Sequence, residues 1–158
     1  MPIFIITLTM MLINILFGSS CVGKSTLMAR SSSQNYKVEM DDAKYWEFEE
    51  KLWPDICFNF LIKHIERNKC DKGNNVIPNM IVTCGGLPDP THHLYEKIEK
   101  THNIVFRHTL VLTKNENQYL KQIKKRKRMD VIETLMEHYR WREGSQNLYH
   151  EVIINDGK

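Results

Sequence analysis

Residues 12–27 constrain this chain more than any other stretch. Leu12-Ile13-Asn14-Ile15-Leu16-Phe17 is an apolar run that breaks at Gly18, and Ser19-Ser20-Cys21-Val22 then leads into Gly23-Lys24-Ser25-Thr26-Leu27. The spacing from Gly18 to Ser25 fits G-x-x-x-x-G-K-[ST], the pattern of a phosphate-binding loop. Each fixed position has a physical task. Gly18 and Gly23 allow turns in which a Cβ would clash, and let the backbone approach a phosphate. The loop N–H groups and the following helix N-terminus form a cradle for an anion. Lys24 would reach the β- and γ-phosphates of a nucleotide, and the Ser25 hydroxyl would ligate Mg²⁺. Such a loop must follow a buried strand and open a helix. Leu12 to Phe17 reads as that strand, and Lys24 to Arg30 as the helix start.

The rest of the chain agrees with a single domain around this loop. A length of 158 residues is enough for one real core. The net charge of +3 does not by itself point to nucleic acid. Cys21, Cys57, Cys70 and Cys84 are far apart, which indicates neither a zinc site nor a disulfide framework and suits a reducing compartment. Met1 to Phe17 is almost wholly apolar, but it has no basic leading region and no small-residue cleavage site. Its last part is claimed by the strand that feeds the loop. Residues 1–10 therefore read as an apolar extension ahead of a domain over 11–158. A cytoplasmic protein with no membrane role is the expectation.

Further strand candidates are Tyr36 to Met40, Met80 to Cys84, a run within Asn103 to Thr113 best placed at Thr109 to Leu112, and Glu151 to Ile154. Helical patterns lie between them, at Ala43 to Trp53, Asp55 to Asn68, Asp89 to Thr101 and Asn115 to Glu143. Short apolar strands alternating with helices predict an α/β fold, a parallel sheet covered on both faces. Ligands of such sheets sit at the carboxyl ends of the strands. Those ends carry Gly18 to Ser25, Asp41-Asp42, Gly85-Gly86 and Asn155-Asp156.

Phosphoryl transfer needs a metal ion held near the phosphates and a carboxylate that orients the attacking hydroxyl. Asp41-Asp42 follows the second strand, and an aspartate there also suits a helix N-cap before Ala43. Successive strand residues point to opposite faces, so the two cannot both aim at one acceptor. Asp41 is expected to face the crevice and Asp42 to cap the helix at its acceptor side. Gly85-Gly86 is either a close backbone approach to an acceptor or a plain turn before Pro88. Lys121 to Arg128 is a basic run that reads as a solvated face, a nucleic-acid patch, or a lid that closes an arginine onto phosphates. The lid reading is preferred, with Arg126 and Arg128 first and Arg140 and Arg142 second. The tryptophans in helical segments are expected to pack, and no histidine spacing marks a metal site.

On these residues the chain resembles the P-loop small-molecule kinases, the shikimate-, gluconate- and adenylate-kinase-like group. The likeness spans about Met11 to Asp156 and rests on Gly18 to Thr26, Asp41-Asp42, Ile81-Val82-Thr83-Cys84-Gly85-Gly86, the Arg126/Arg128 segment and Val152-Ile153-Ile154-Asn155-Asp156. Asp41-Asp42 also looks like 5′-polynucleotide kinases. The resemblance implies a three-layer fold with a five-stranded parallel sheet in order 2-3-1-4-5. It implies ATP as phosphoryl donor, Mg²⁺ as cofactor, and a basic helical lid around 114–130. Lys24, Asp41 and Arg126 would be catalytic. Gly18, Ser19, Ser20, Cys21, Val22, Gly23, Lys24, Ser25, Thr26, Arg128 and Asn155 would bind the nucleotide, and Ser25 and Asp41 the metal. Asp42, Gly85 and Gly86 would meet a small-molecule or nucleotide acceptor. No Walker B strand ending in aspartate and no acceptor-site arginines of the shikimate kinase type are present. The alternative is a nucleotide-binding ATPase, or a polynucleotide-kinase-like protein, that meets RNA or DNA through the basic run.

Overall fold

The apolar runs become the strands of one sheet. The computed structural model describes residues 10–32, 35–40, 53–72, 79–84 and 87–155. In it β1 (Met11–Phe17), β2 (Tyr36–Glu39), β3 (Met80–Cys84), β4 (Ile104–Thr113) and β5 (Glu151–Asn155) alternate with helices. The helices are α1 (Lys24–Arg30), α2 (Trp53–Lys72), α3 (His93–His102), α4 (Glu116–Lys125) and α5 (Ile132–Gly144). All five strands run parallel in the order β2-β3-β1-β4-β5. This is the α/β architecture, with the strand order that the resemblance implies.

Register shows how the layers stack. Met11, Ile13 and Ile15 lie beside Ile104, Phe106 and His108, so these side chains share one face. Tyr95 of α3 packs edge-on against Phe106 and His108, and Asn68 of α2 lies against the Met11 sulfur. Helices α2 and α3 therefore cover that face. Lys37, Ile81 and Asn14 form a row on the other face. Lys37 reaches the Ala29 and Ser31 carbonyls from there, which puts α1 on that side. The buried core runs through both interfaces and includes Ile13, Ile15, Phe17, Leu61, Ile65, Val82 and Leu110. Asn14, the one polar residue in the β1 run, is matched by Thr109 of β4, whose hydroxyl donates to Asn14 Oδ1 at 2.9 Å.

Several boundaries differ from the sequence expectation. Strand β4 has ten residues because β1 pairs along Ile104–Leu110 and β5 along Thr109–Thr113, so partners extend it both ways. Helix α2 continues past Asn68 to Lys72. Helix α3 starts at His93: Asp89 Oδ1 closes the preceding turn on the Thr91 N–H at 3.0 Å, and His92 Nδ1 accepts from the Leu94 N–H at 3.2 Å. The long helix expected from Asn115 to Glu143 is two helices. Lys127 has φ +56, its N–H donates to the Lys124 carbonyl, and the Arg128 N–H donates to the Ile123 carbonyl. That pair of bonds is a Schellman termination, and it ends α4 in the middle of the basic run. A single 3₁₀ turn, Met129–Val131, then leads into α5. The apolar extension up to residue 9 and most of the expected helix from Ala43 to Trp53 lie outside the described residues. Among the described residues no helix is long and apolar enough to cross a membrane.

Candidate functional site

Gly18 to Gly23 connects the end of β1 to the start of α1, at the carboxyl end of the sheet. Two of its glycines are required by space. A Cβ on Gly18 would lie 2.7 Å from the Val111 carbonyl oxygen and 2.8 Å from a Val22 methyl. At Gly23 φ is +101, and a Cβ would lie 2.0 Å from Asn155 Nδ2. Cys21 also takes a left-handed conformation, φ +75, that favours glycine. The chain thus departs from ordinary backbone twice within three residues, at Cys21 and Gly23. Such strain persists where surrounding contacts impose it, and it gathers at functional sites.

Hydrogen bonds hold the loop's carbonyl groups. Lys24 Nζ donates to Gly18 O at 2.6 Å and Ser19 O at 3.1 Å, and its side chain is buried. The Tyr119 hydroxyl donates to Ser20 O at 2.6 Å. Asn155 Nδ2 donates to Val22 O at 2.7 Å. The Thr83 hydroxyl, near the end of β3, is buried with no hydrogen-bond partner among the described residues. Ser25 and Thr26 are exposed in the first turn of α1. Cys21 is half-buried and Val22 is buried.

Beside the loop lies a cleft of about 250 Å³, lined by Gly23, Thr26, Arg30, Gln122, Lys125, Arg126 and Asn155. The fold therefore brings Arg126, from the basic run, and Asn155, from the end of β5, to the cleft beside this loop. Arg128 is exposed, and its charge acts on the buried Tyr119 hydroxyl. Asp41, Asp42, Gly85 and Gly86 lie outside the described residues. The second pair of arginine candidates is engaged elsewhere. Arg140 is paired with Glu116 at 2.8 Å on the surface, holding that carboxyl below its usual range. Arg142 is almost fully buried, with its guanidinium 5.2 Å from the centre of the Phe17 ring and 4.3 Å from that of Trp141, and hydrogen-bonded to Tyr149. Trp141, expected to pack, stacks on His138 and lies against Arg142 while remaining 49% exposed.

Two participants carry no signal in the sequence. Tyr119 is one of several aromatic residues in helical segments, and only the docking of α4 shows that it meets Ser20. His138 of α5 lies close enough to feel Arg142 and Lys24. Burial, then the Arg142 charge, then the Lys24 charge bring its pKa down to about 4. No histidine spacing in the sequence pointed to it, because the proximity is tertiary.

A nucleotide fits what is present: glycines where a side chain would fill the cradle, a lysine inside it, and cations on the adjoining cleft. For Mg²⁺ the hydroxyl of Ser25 has the right chemistry and an exposed position. Among the described residues no group of three or more His, Cys, Asp or Glu side chains is arranged to hold a metal ion. No family model and no curated protein matches this sequence.

Proposed function

We propose that this protein is an ATP-dependent kinase that transfers the γ-phosphate to a small-molecule or nucleotide acceptor. The observation that carries the reading is the Gly18–Thr26 loop, with Lys24 folded into it and a cationic cleft alongside. In this reading the loop N–H groups and the α1 N-terminus hold the phosphates. Lys24 exchanges its bonds to Gly18 O and Ser19 O for phosphate oxygens and offsets charge developing on the transferred group. Arg126, at the mouth, adds charge and excludes water when the segment after α4 closes. Ser25 and Asp41 would hold Mg²⁺, which when bound neutralises phosphate charge and aligns the oxygens. In this reading Asp41 would orient the acceptor hydroxyl, and Asp42, Gly85 and Gly86 would meet the acceptor.

The test is MgATP turnover across a panel of small hydroxyl and phosphate acceptors. Acceptor-dependent ADP release, abolished in Lys24→Met, is expected. A second reading has its own observation: Lys121, Lys124, Lys125, Arg126, Lys127 and Arg128 are all exposed. A nucleotide-binding module that grips RNA or DNA through this run would show salt-sensitive nucleic-acid binding without acceptor-dependent turnover.

A further inference from the structure

We propose that Tyr119 and Asn155 are positioning residues for the P-loop: from α4 and from the end of β5 they hold two loop carbonyls and so aim the neighbouring N–H groups at the bound phosphates. This rests on the reading of Gly18–Thr26 as a nucleotide cradle and goes beyond it, because neither residue belongs to the loop or its motif.

The argument starts from the peptide unit. It is planar and trans, so the C=O of one residue and the N–H of the next point in opposite directions. Fixing the Ser20 carbonyl fixes the Cys21 N–H, and fixing the Val22 carbonyl fixes the Gly23 N–H. Cys21 and Gly23 are the two consecutive left-handed points of the turn, at φ +75 and +101. Alternation of this kind builds an N–H concavity for an anion. A non-glycine residue such as Cys21 does not hold that conformation unaided. The outside grip lies on the peptide just before it, the Tyr119 bond to Ser20 O at 2.6 Å. The peptide just before Gly23 is gripped by Asn155 at 2.7 Å.

Both donors are rigidly placed. Tyr119 has no exposed surface, and its ring stacks on Tyr139 with centroids 4.4 Å apart and planes 18° apart. The Tyr139 hydroxyl is bonded in turn to the Thr113 carbonyl at 3.2 Å. Asn155 is the last residue of β5, paired beside Thr113. Both grips therefore trace back to the end of β4. Lys24 also holds loop carbonyls, but in the proposed reaction it leaves them for a phosphate, whereas the grips of Tyr119 and Asn155 persist in the bound state. Tyr119 has a further consequence: α4, which carries the basic run, is tied to the cradle. Motion of that segment is thereby confined to the residues after Lys125.

The test compares wild type, Tyr119→Phe and Asn155→Ala by calorimetric titration with MgATP and with inorganic tripolyphosphate, alongside thermal melts. Tyr119→Phe removes one hydroxyl and keeps the ring stack. Each variant is expected to stay folded and to bind both ligands about three- to tenfold more weakly, the loss set by one hydrogen bond of ordinary net strength. Equal losses for the two ligands place the effect at the phosphates rather than the nucleoside. Faster hydrogen exchange of the Cys21 and Gly23 amides in the ligand-free variants is the second expected sign. If wild type binds both ligands and the variants bind them equally well, the positioning role is wrong and the cradle stands. A loss for MgATP alone also overturns it. If wild type binds neither ligand, the cradle reading fails and takes the positioning role with it. Should Tyr119→Phe not fold, Asn155→Ala carries the same test.

Discussion

A single ammonium group shows how this site works at the scale of a residue. Lys24 is buried and shares its protons between two loop carbonyls, so it is placed before any ligand arrives. Lys24→Met keeps the stem and removes the charge. Turnover in the acceptor assay should fall on the order of 10²-fold or more, the cost typical of one preorganised donor, while circular dichroism stays native. Near-normal turnover in the folded variant would remove the catalytic assignment. Gly23 makes the matching steric point. Alanine there meets Asn155 Nδ2 and a backbone conformation it avoids. Gly23→Ala should cost about 1–3 kcal/mol in urea unfolding and displace Asn155 from Val22. An unchanged melting curve would show that the loop turns differently.

At the scale of an element, the informative feature is the break inside the basic segment. Helix α4 ends at Lys125 because the backbone reverses at Lys127, in a left-handed position that glycine usually fills. Lys127→Gly should therefore stabilise the protein by about 1 kcal/mol, read as a higher urea midpoint. A destabilised variant would mean that the lysine side chain makes up for its own strain. The break also divides the labour of the segment. Tyr119 and Ile123 bury the helix, while Arg126 and Arg128 sit on the reversal. If the kinase proposal holds, neutralising both arginines should lower kcat more than it weakens ATP binding, since a closing segment would act late in the cycle. If nucleic-acid affinity alone falls, the run is a binding patch.

The whole molecule responds to pH through histidines that the fold has enclosed. His108 lies among Phe17, Tyr95, Phe106 and His150, 5% exposed, with both ring nitrogens lacking hydrogen-bond partners among the described residues. Burial first, and the His150 charge second, lower its pKa to about 4. His138 is lowered to about 4 as well. The unfolded chain takes up these protons near pH 6.5 and the folded chain does so only near 4, so between those values the unfolded state binds more protons. The contribution of these two histidines to stability should be constant above about pH 6.5, fall as pH drops toward 4, and be constant again below. His108 alone would account for on the order of 3 kcal/mol. Urea unfolding from pH 4 to 8 measures this, and His108→Phe should flatten much of the slope. An equally steep slope in that variant would assign the effect to other groups. His150 adds a structural link, because its Nδ1 accepts the His108 N–H at 2.9 Å.

The sequence by itself determined the strand–loop–helix around Gly18–Thr26, because the motif, the apolar run before it and the helix after it are all local. It also determined the alternation of strands and helices, which hydrophobic patterning encodes directly. What lay beyond it depended on contacts between distant residues. Strand β4 outgrew its apolar core because two neighbours pair along it, and the polar Asn14 is tolerated in β1 because Thr109 answers it. The basic run carries its cations but not its reversal at Lys127, where no glycine announces a stop. Arg140 and Arg142 look like Arg126 in sequence, and only packing separated a surface ion pair and a buried guanidinium from the arginine that lines the cleft beside the loop. Asn155 was legible as a strand-end residue, but its bond to Val22 O, 133 positions away, was not. Local pattern specifies which backbone can form, whereas the partner that satisfies a given polar group is chosen only when the layers close.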